Sequence, residues 1–397
     1  MRGRLLMDRR DLMRYAAAAG PVLAFGRAAF GAEDAADGGG MNVHGRVPPN
    51  AEPPLGRLVD HWITPTEWFY VRSHAPTPNI DAASFRLTVD GLVDKPLNLS
   101  LDELKSEFTA EHRAATMTCA GNRRNEHSLV KQVKGVPWGA GAIGNALWTG
   151  APLREVLERA GVRAGAKHVC FEGLDAVPRP DGVIPFGASI PLEKAMAPAS
   201  AGEPLLAWAM NEEPLTPDHG FPLRTVVPGY IGARSVKWIG RVTVTDRPSS
   251  NHFVATAYKT VTEDTAEAWS AESPIQTNVL NSVTCSVSVS TNEAGDRRYL
   301  EAVGYALPSG LPGARVTKVE VSIDGGQTWD AAGIRNRGQD YCWVQWYVKA
   351  RLWGRADQRE VVVRATDSTG ATQPEEVPWN LKGYLFNAWH RTPVALG

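Results

Sequence analysis

Hydrophobic and polar positions fall into two regimes along the chain. In the first, short strands and short helices mix. Ser84–Val89 alternates like a half-buried strand and stops at Asp90-Gly91. Ser100 followed by Glu103 forms a capping-box signature for a short helix. Leu153, Val156, Leu157 and Ala160 share one face of a helix that opens after Pro152 and stops at Gly161. This irregular alternation predicts an α+β domain rather than a regular βαβ series. After a polar stretch at 246–276 comes the second regime, in which strand follows strand. Val283, Cys285, Val287 and Val289 alternate, and Val319, Val321 and Ile323 alternate into the turn Asp324-Gly325-Gly326. Residues 341–348 and 360–365 continue the pattern, which predicts an antiparallel sandwich of immunoglobulin type. Residues 41–54, polar and rich in Pro, Gly and Asn, read as an extended lead-in.

Residues 1–32 read as an address. Arg9-Arg10 precedes a short apolar run and a small-residue stretch, which resembles a twin-arginine export signal. The run is too short to cross a hydrocarbon layer of about 30 Å, so no membrane span is expected and the mature protein is expected in the periplasm. The twin-arginine route carries folded proteins, which raises the expectation of a redox centre. With 42 basic and 43 acidic residues the net charge is −1, which argues against nucleic acid or an anionic membrane as partner. The hydrophobic fraction of 43% and 38 Gly with 28 Pro describe a turn-rich globular chain of two or three domains. The 13 Trp outnumber the 10 Phe, so indole rings are expected at a domain interface or around a ligand.

The four cysteines, Cys119, Cys170, Cys285 and Cys342, stand far apart with no Cys-x-x-Cys pair, which argues against structural zinc and covalent haem. Cys285 and Cys342 fall in apolar strands and read as buried thiols. Cys119 differs: it sits among small residues in Thr118-Cys119-Ala120-Gly121-Asn122-Arg123-Arg124, where two guanidinium groups follow that favour a thiolate. By itself this string reads as a metal ligand, a reactive thiol or a plain loop. Gly139, Gly141 and Gly144 match the glycine spacing of a dinucleotide site, but Pro137-Trp138 precedes them instead of a strand and Gly150-Ala151-Pro152 breaks the helix that should follow.

The Cys119 string resembles the molybdenum site of the sulfite oxidase family, and further segments match in family order. They are Phe69–His74, with Ser73 where an asparagine is expected, then 171–175, 187–192, 218–224 and 228–238, the sandwich signature 321–329, and the closing segment 379–391. The resemblance implies a molybdopterin-binding catalytic domain over 55–270 and an immunoglobulin-like dimerisation-type domain over 271–397, preceded by the signal at 1–32 and the lead-in at 33–54. It makes Cys119 the protein ligand of molybdenum. Tyr70, Arg72, His74, Asp175, His219, Arg224, Ser235, Val236 and Lys237 would hold the pterin and its phosphate. Arg72, Arg124 and Arg391 would converge on a small oxyanion, with Trp138 as a wall and Tyr258 beside the metal. The implied reaction is oxidation of sulfite to sulfate by oxygen-atom transfer, by a homodimer without haem or flavin that passes electrons singly to a c-type cytochrome. Arg391 would argue against a nitrate-reducing relative, in which an apolar residue is expected there. Two other readings stand beside this one: an oxotransferase for another oxyanion or a sulfoxide, and a non-catalytic extracellular anion-binding protein.

Overall fold

The computed structural model describes residues 40–336, 339–352 and 358–395. The export-signal reading at 1–32 lies outside them. Two five-stranded sheets, with a three-stranded and a two-stranded one beside them, build the first half of the described chain. One runs in the order Gly187–Pro191, His168–Gly173, Ile239–Thr245, Leu87–Gly91, Leu97–Leu99. Only Ile239–Thr245 and Leu87–Gly91 are parallel in it; the other pairings are antiparallel. The second runs Glu213–Pro214, Leu205–Met210, Ile143–Pro152, Glu111–Thr118, with Arg224–Val226 also pairing with Leu205–Met210. One parallel pair among antiparallel ones is the α+β architecture expected.

The helix Leu153–Ala160 forms as its pattern predicts. Leu153, Val156, Leu157 and Ala160 are all fully buried against Leu87, Val89 and Phe171 of the first sheet. Gly161 ends it at φ 72°, where its N–H reaches the carbonyls of Leu157 and Glu158, a left-handed stop that suits glycine. The capping box at Ser100 is present, with Glu103 N–H donating to Ser100 Oγ at 3.1 Å and Ser100 N–H to Glu103 Oε2 at 2.7 Å. The strand expected at 84–89 pairs later, over Leu87–Gly91, because Ser84 is held in a turn by Asp81.

The second half is the expected sandwich. One sheet runs Asn281–Thr291, Arg298–Leu307, Val344–Leu352, Gly333–Arg335; the facing one runs Asp330–Ala331, Val316–Ser322, Gln358–Asp367, His390–Ala395. Leu300, Val319, Val321, Trp346, Val361 and Val363 fill the space between them. The strand expected from Tyr341 begins only at Val344, because the preceding turn is spent on the catalytic domain. Thr116 N–H donates to Tyr341 O at 3.0 Å, and Trp343 N–H donates to Thr116 Oγ1 at 2.8 Å. Trp62 and Trp343 each donate their indole N–H to the other's carbonyl, at 3.1 and 3.0 Å. Buried indoles at the domain interface account for part of the tryptophan excess.

The lead-in is a correction. Asn42–Arg46 and Pro49–Glu52 form a hairpin, and Pro49–Glu52 also pairs with Val71–Arg72. Asn50 and Glu52 are each 4% exposed. The four-residue strand Pro-Asn-Ala-Glu carries no β-branched residue, so nothing local marks it; pairing with a distant segment makes it a strand.

Candidate active site

Cys119 follows the last residue of the strand Glu111–Thr118 and is held by its own N–H on Ala142 O at 2.9 Å. The chain then turns, with Asn122 N–H on Cys119 O at 3.0 Å and Gly121 N–H 3.4 Å from the sulfur. The thiol faces a cavity between the two sheets of the catalytic domain. Of the residues picked from sequence, Tyr70, Arg72, His74, Cys119 and Asp175 line it, as do His219, Arg224, Ser235, Lys237 and Tyr258.

Its electrostatics are those of a site built for an anion. Arg224 is buried and donates to His219 O, Ser235 O and the sulfur of Met117. Lys237 Nζ donates to Ser73 Oγ at 2.7 Å and Asp218 O at 2.8 Å. Arg72 donates to Asn50 Oδ1 at 3.1 Å and to Ser73 O, and approaches the ring nitrogens of His74. Among the described residues none of these three cations makes an ion pair with a carboxylate within 4.0 Å. Burial lowers the Arg224 pKa to about 10 and holds Lys237 well below its usual value, with Arg224 adding to the effect on Lys237. Burial, then Lys237 and Arg224, brings His219 down to about 4, and burial with Arg72 and Lys237 depresses His74 in the same way. Both imidazoles are therefore neutral at neutral pH. Burial raises the Tyr70, Asp175 and Tyr258 pKa values. Desolvated cations without carboxylate partners are costly until an anionic ligand arrives.

The structure keeps four of the sequence-picked residues out of the cavity lining. Arg391 lies on the outer strand of the sandwich, ion-paired with Glu360 at 2.7 Å and Glu375 at 2.8 Å, so it does not join the other arginines. Trp138 is fully buried in a core cluster with Phe69, Cys119 and Trp148, edge-on to His44, and does not form a wall of the cavity. Val236 is a core residue whose N–H and C=O are both spent on Thr225. Arg124 sits behind the Cys119 loop, with Nε on Lys382 O and Nη1 on Val136 O, both at 2.7 Å. Its neighbour Arg123 turns away altogether. At φ 66° it grips Glu126 with two bonds and reaches Asn281 and Ala388 O of the second domain. Neither of the two guanidinium groups expected around Cys119 therefore lines the cavity, and only Arg124 stays against the Cys119 loop.

Sequence reasoning missed Asn50, Met117 and Asp218, and read Ser73 only as a departure. Asn50 Oδ1 receives both Arg72 and the Ser73 N–H, from the hairpin that sequence left as a lead-in. The glycine run also finds its explanation: Gly139 and Gly141 N–H donate to Glu52 Oε1 and Oε2 at 2.7 and 3.0 Å. These N–H groups are therefore spent on the chain's own carboxylate.

The donor set fits a molybdopterin. A thiol, a soft donor suited to a metal–sulfur centre, opens on the same space as Arg72, Arg224 and Lys237, which suit a phosphate and a polar pterin edge. Comparisons with known proteins agree. Residues 74–253 match the model of the oxidoreductase molybdopterin binding domain, and residues 271–396 that of the Mo-co oxidoreductase dimerisation domain. Sulfite oxidase of Gallus gallus is 42% identical over 365 residues, covering 89% of this chain and 77% of that protein. The chain belongs to the sulfite oxidase family. Within and around this family, mitochondrial sulfite oxidase of Rattus norvegicus is 41% identical over 89% of this chain and 65% of its own length. Nitrate reductase [NADH] of Solanum lycopersicum is 38% identical over 89% of this chain; the match spans only 41% of that longer protein. Among solved structures, the sulfane dehydrogenase SoxCD from Paracoccus pantotrophus superposes with a TM-score of 0.75 at 25% identity, covering 94% of this chain and 95% of that one. The sulfite oxidase family fold therefore extends over both domains.

Proposed function

We propose that this protein is a sulfite dehydrogenase. It oxidises sulfite to sulfate and passes electrons one at a time to an external carrier, a c-type cytochrome, as an exported periplasmic homodimer. The observation that carries the reading is Cys119 facing the same cavity as buried Arg224 and half-buried Arg72 and Lys237, which make no carboxylate ion pairs among the described residues. Cys119 would hold the metal, and Arg224, Lys237, Ser235 and His219 would hold the pterin and its phosphate. When bound, the group supplies oxygen-atom transfer chemistry. The chain's residues do the rest. Arg72 offers a charged donor to a small oxyanion, and Asn50 keeps its guanidinium in place. The Tyr258 hydroxyl lies 2.9 Å from Nε2 of neutral His74. Burial keeps the proton on Tyr258 Oη, and burial with Arg72 and Lys237 keeps the imidazole neutral, so the ring can take the Tyr258 hydrogen bond without taking its proton.

The test is sulfite-dependent reduction of ferricyanide and of a c-type cytochrome by purified holoprotein, with molybdenum content measured on the same sample. Turnover is expected from wild type, while Cys119→Ser is expected to stay folded and to lose both metal and turnover. A metal-loaded wild type inert to sulfite would overturn the reading. Nitrate reduction is the second reading, favoured by the 38% identity to a nitrate reductase. The sequence argument against it rested on Arg391 and falls with that residue's place on the sandwich surface. Nitrate turnover with a reduced viologen, without sulfite oxidation, would select it.

A further inference from the structure

The closing segment of the chain returns to the catalytic domain and contributes an aromatic ring that the site reading above does not use. Tyr384 stacks on Tyr258 in an offset arrangement, with ring centroids 5.2 Å apart and planes 13° from parallel. The guanidinium of Arg124 lies 5.3 Å from the centroid of the same ring. One side chain therefore touches both the cavity-lining tyrosine and the arginine behind the Cys119 loop.

The segment around it is a rigid clamp. Asn380, 5% exposed, accepts from Tyr384 N–H at 3.0 Å through its side-chain oxygen and donates to Tyr384 O at 2.9 Å. Leu385 N–H donates to Ala120 O at 2.8 Å, which fastens the clamp to the residue after Cys119. Lys382 O accepts a hydrogen bond from Arg124 Nε–H at 2.7 Å. Gly383, at φ 58°, leaves room for the arginine: a Cβ there would stand 2.7 Å from Arg124 Cγ. Gly121 does the same on the other side, where a Cβ would collide with Arg124 Nη2. Nε and Nη1 are spent on carbonyls, which fixes the guanidinium behind the Cys119 loop.

We propose that Tyr384 is a positioning residue. Its ring, held against the Arg124 guanidinium behind the Cys119 loop, fixes the Tyr258 ring that lines the cavity, so that the closing segment of the chain orients one wall of the oxyanion pocket from outside it. This rests on the reading of Tyr258 as a substrate-side group. A cation over an aromatic face is held electrostatically and strongly when desolvated, and a stacked ring pair restricts both partners. The ring face does this, and the hydroxyl is not required.

Two variants of the holoprotein test it. Tyr384→Leu keeps apolar bulk and removes the face; it is expected to raise the KM for sulfite by about tenfold while kcat changes far less. Tyr384→Phe is expected to restore the wild-type KM. A leucine variant with wild-type KM, or a phenylalanine variant as impaired as the leucine one, would overturn the assignment. Crystal structures of wild type and Tyr384→Leu give a second readout that needs no turnover. Displacement of the Tyr258 ring in the variant is expected, and an unmoved one would overturn the assignment. If wild type does not oxidise sulfite, the functional reading fails, and the two crystal structures still decide the positioning role.

Discussion

Replacing Glu52 by alanine probes the link between the N-terminal hairpin and the cysteine loop. Its carboxylate accepts the N–H of Gly139 at 2.7 Å and of Gly141 at 3.0 Å, and meets His44 Nε2 at 2.8 Å. Alanine removes all three acceptor positions. A buried N–H left without a partner costs about 1–3 kcal/mol, so two cost about 2–6 kcal/mol. Glu52 and Gly139–Gly141 also border a surface groove, from which water can reach one of the freed groups, and this favours the lower half of the range. The expected loss is about 3 kcal/mol, or a fall in melting temperature of roughly 4 °C for a unit of this size. The damage should spread to the site. Gly139 O accepts from Arg123 N–H at 2.6 Å, Trp138 O from Asn125 N–H at 3.0 Å, and Ala142 O from Cys119 N–H at 2.9 Å. Thermal unfolding of apoprotein, amide exchange at Gly139 and Gly141, and molybdenum retention after purification measure the three consequences. Glu52→Gln keeps one acceptor and should fall between wild type and alanine. An alanine variant with unchanged melting temperature and unchanged exchange at both glycines would refute the reasoning.

Two further outcomes follow from the placement of single residues. Arg391→Ala removes two half-exposed ion pairs, to Glu360 and Glu375, and is expected to cost less than about 1 kcal/mol in denaturant unfolding and to leave sulfite KM unchanged; a raised KM would place this arginine back in the pocket. His219, whose pKa stands at about 4 in the folded chain, stays neutral there while it charges in the unfolded chain below about pH 6.5. The unfolded state then binds more protons, so cofactor-free protein should lose up to about 3 kcal/mol as pH falls from about 6.5 to 4. Urea unfolding across that window should show a shallower loss in His219→Gln, and an identical slope in the variant would remove the histidine from the account.

Much of this protein was legible in sequence because the signals were local. The helix Leu153–Ala160, its glycine stop, the capping box at Ser100 and the alternating sandwich strands each follow from residues within a turn or two of one another. Cys119 also stood out locally, through its small neighbours and the arginines after it. Ten of the fourteen picked residues line one cavity, because the ordered segments that carry them form strand ends and loops on facing sheets. What sequence could not decide was the direction of each cation. Arg123 and Arg124 are adjacent, yet the left-handed backbone at Arg123 sends one into an ion pair with Glu126 and leaves the other beside Tyr384. Arg391 belongs to a matching segment, yet its strand faces solvent and two glutamates hold it there. Asn50, Glu52 and Tyr384 were invisible for the same reason. Their partners lie roughly twenty to more than two hundred and fifty residues away, and only the pairing of the hairpin with Val71–Arg72 and the return of the closing segment bring them in. Composition and periodicity act over a few residues and set the elements; the site is a set of long-range contacts, which exist only once the chain has folded.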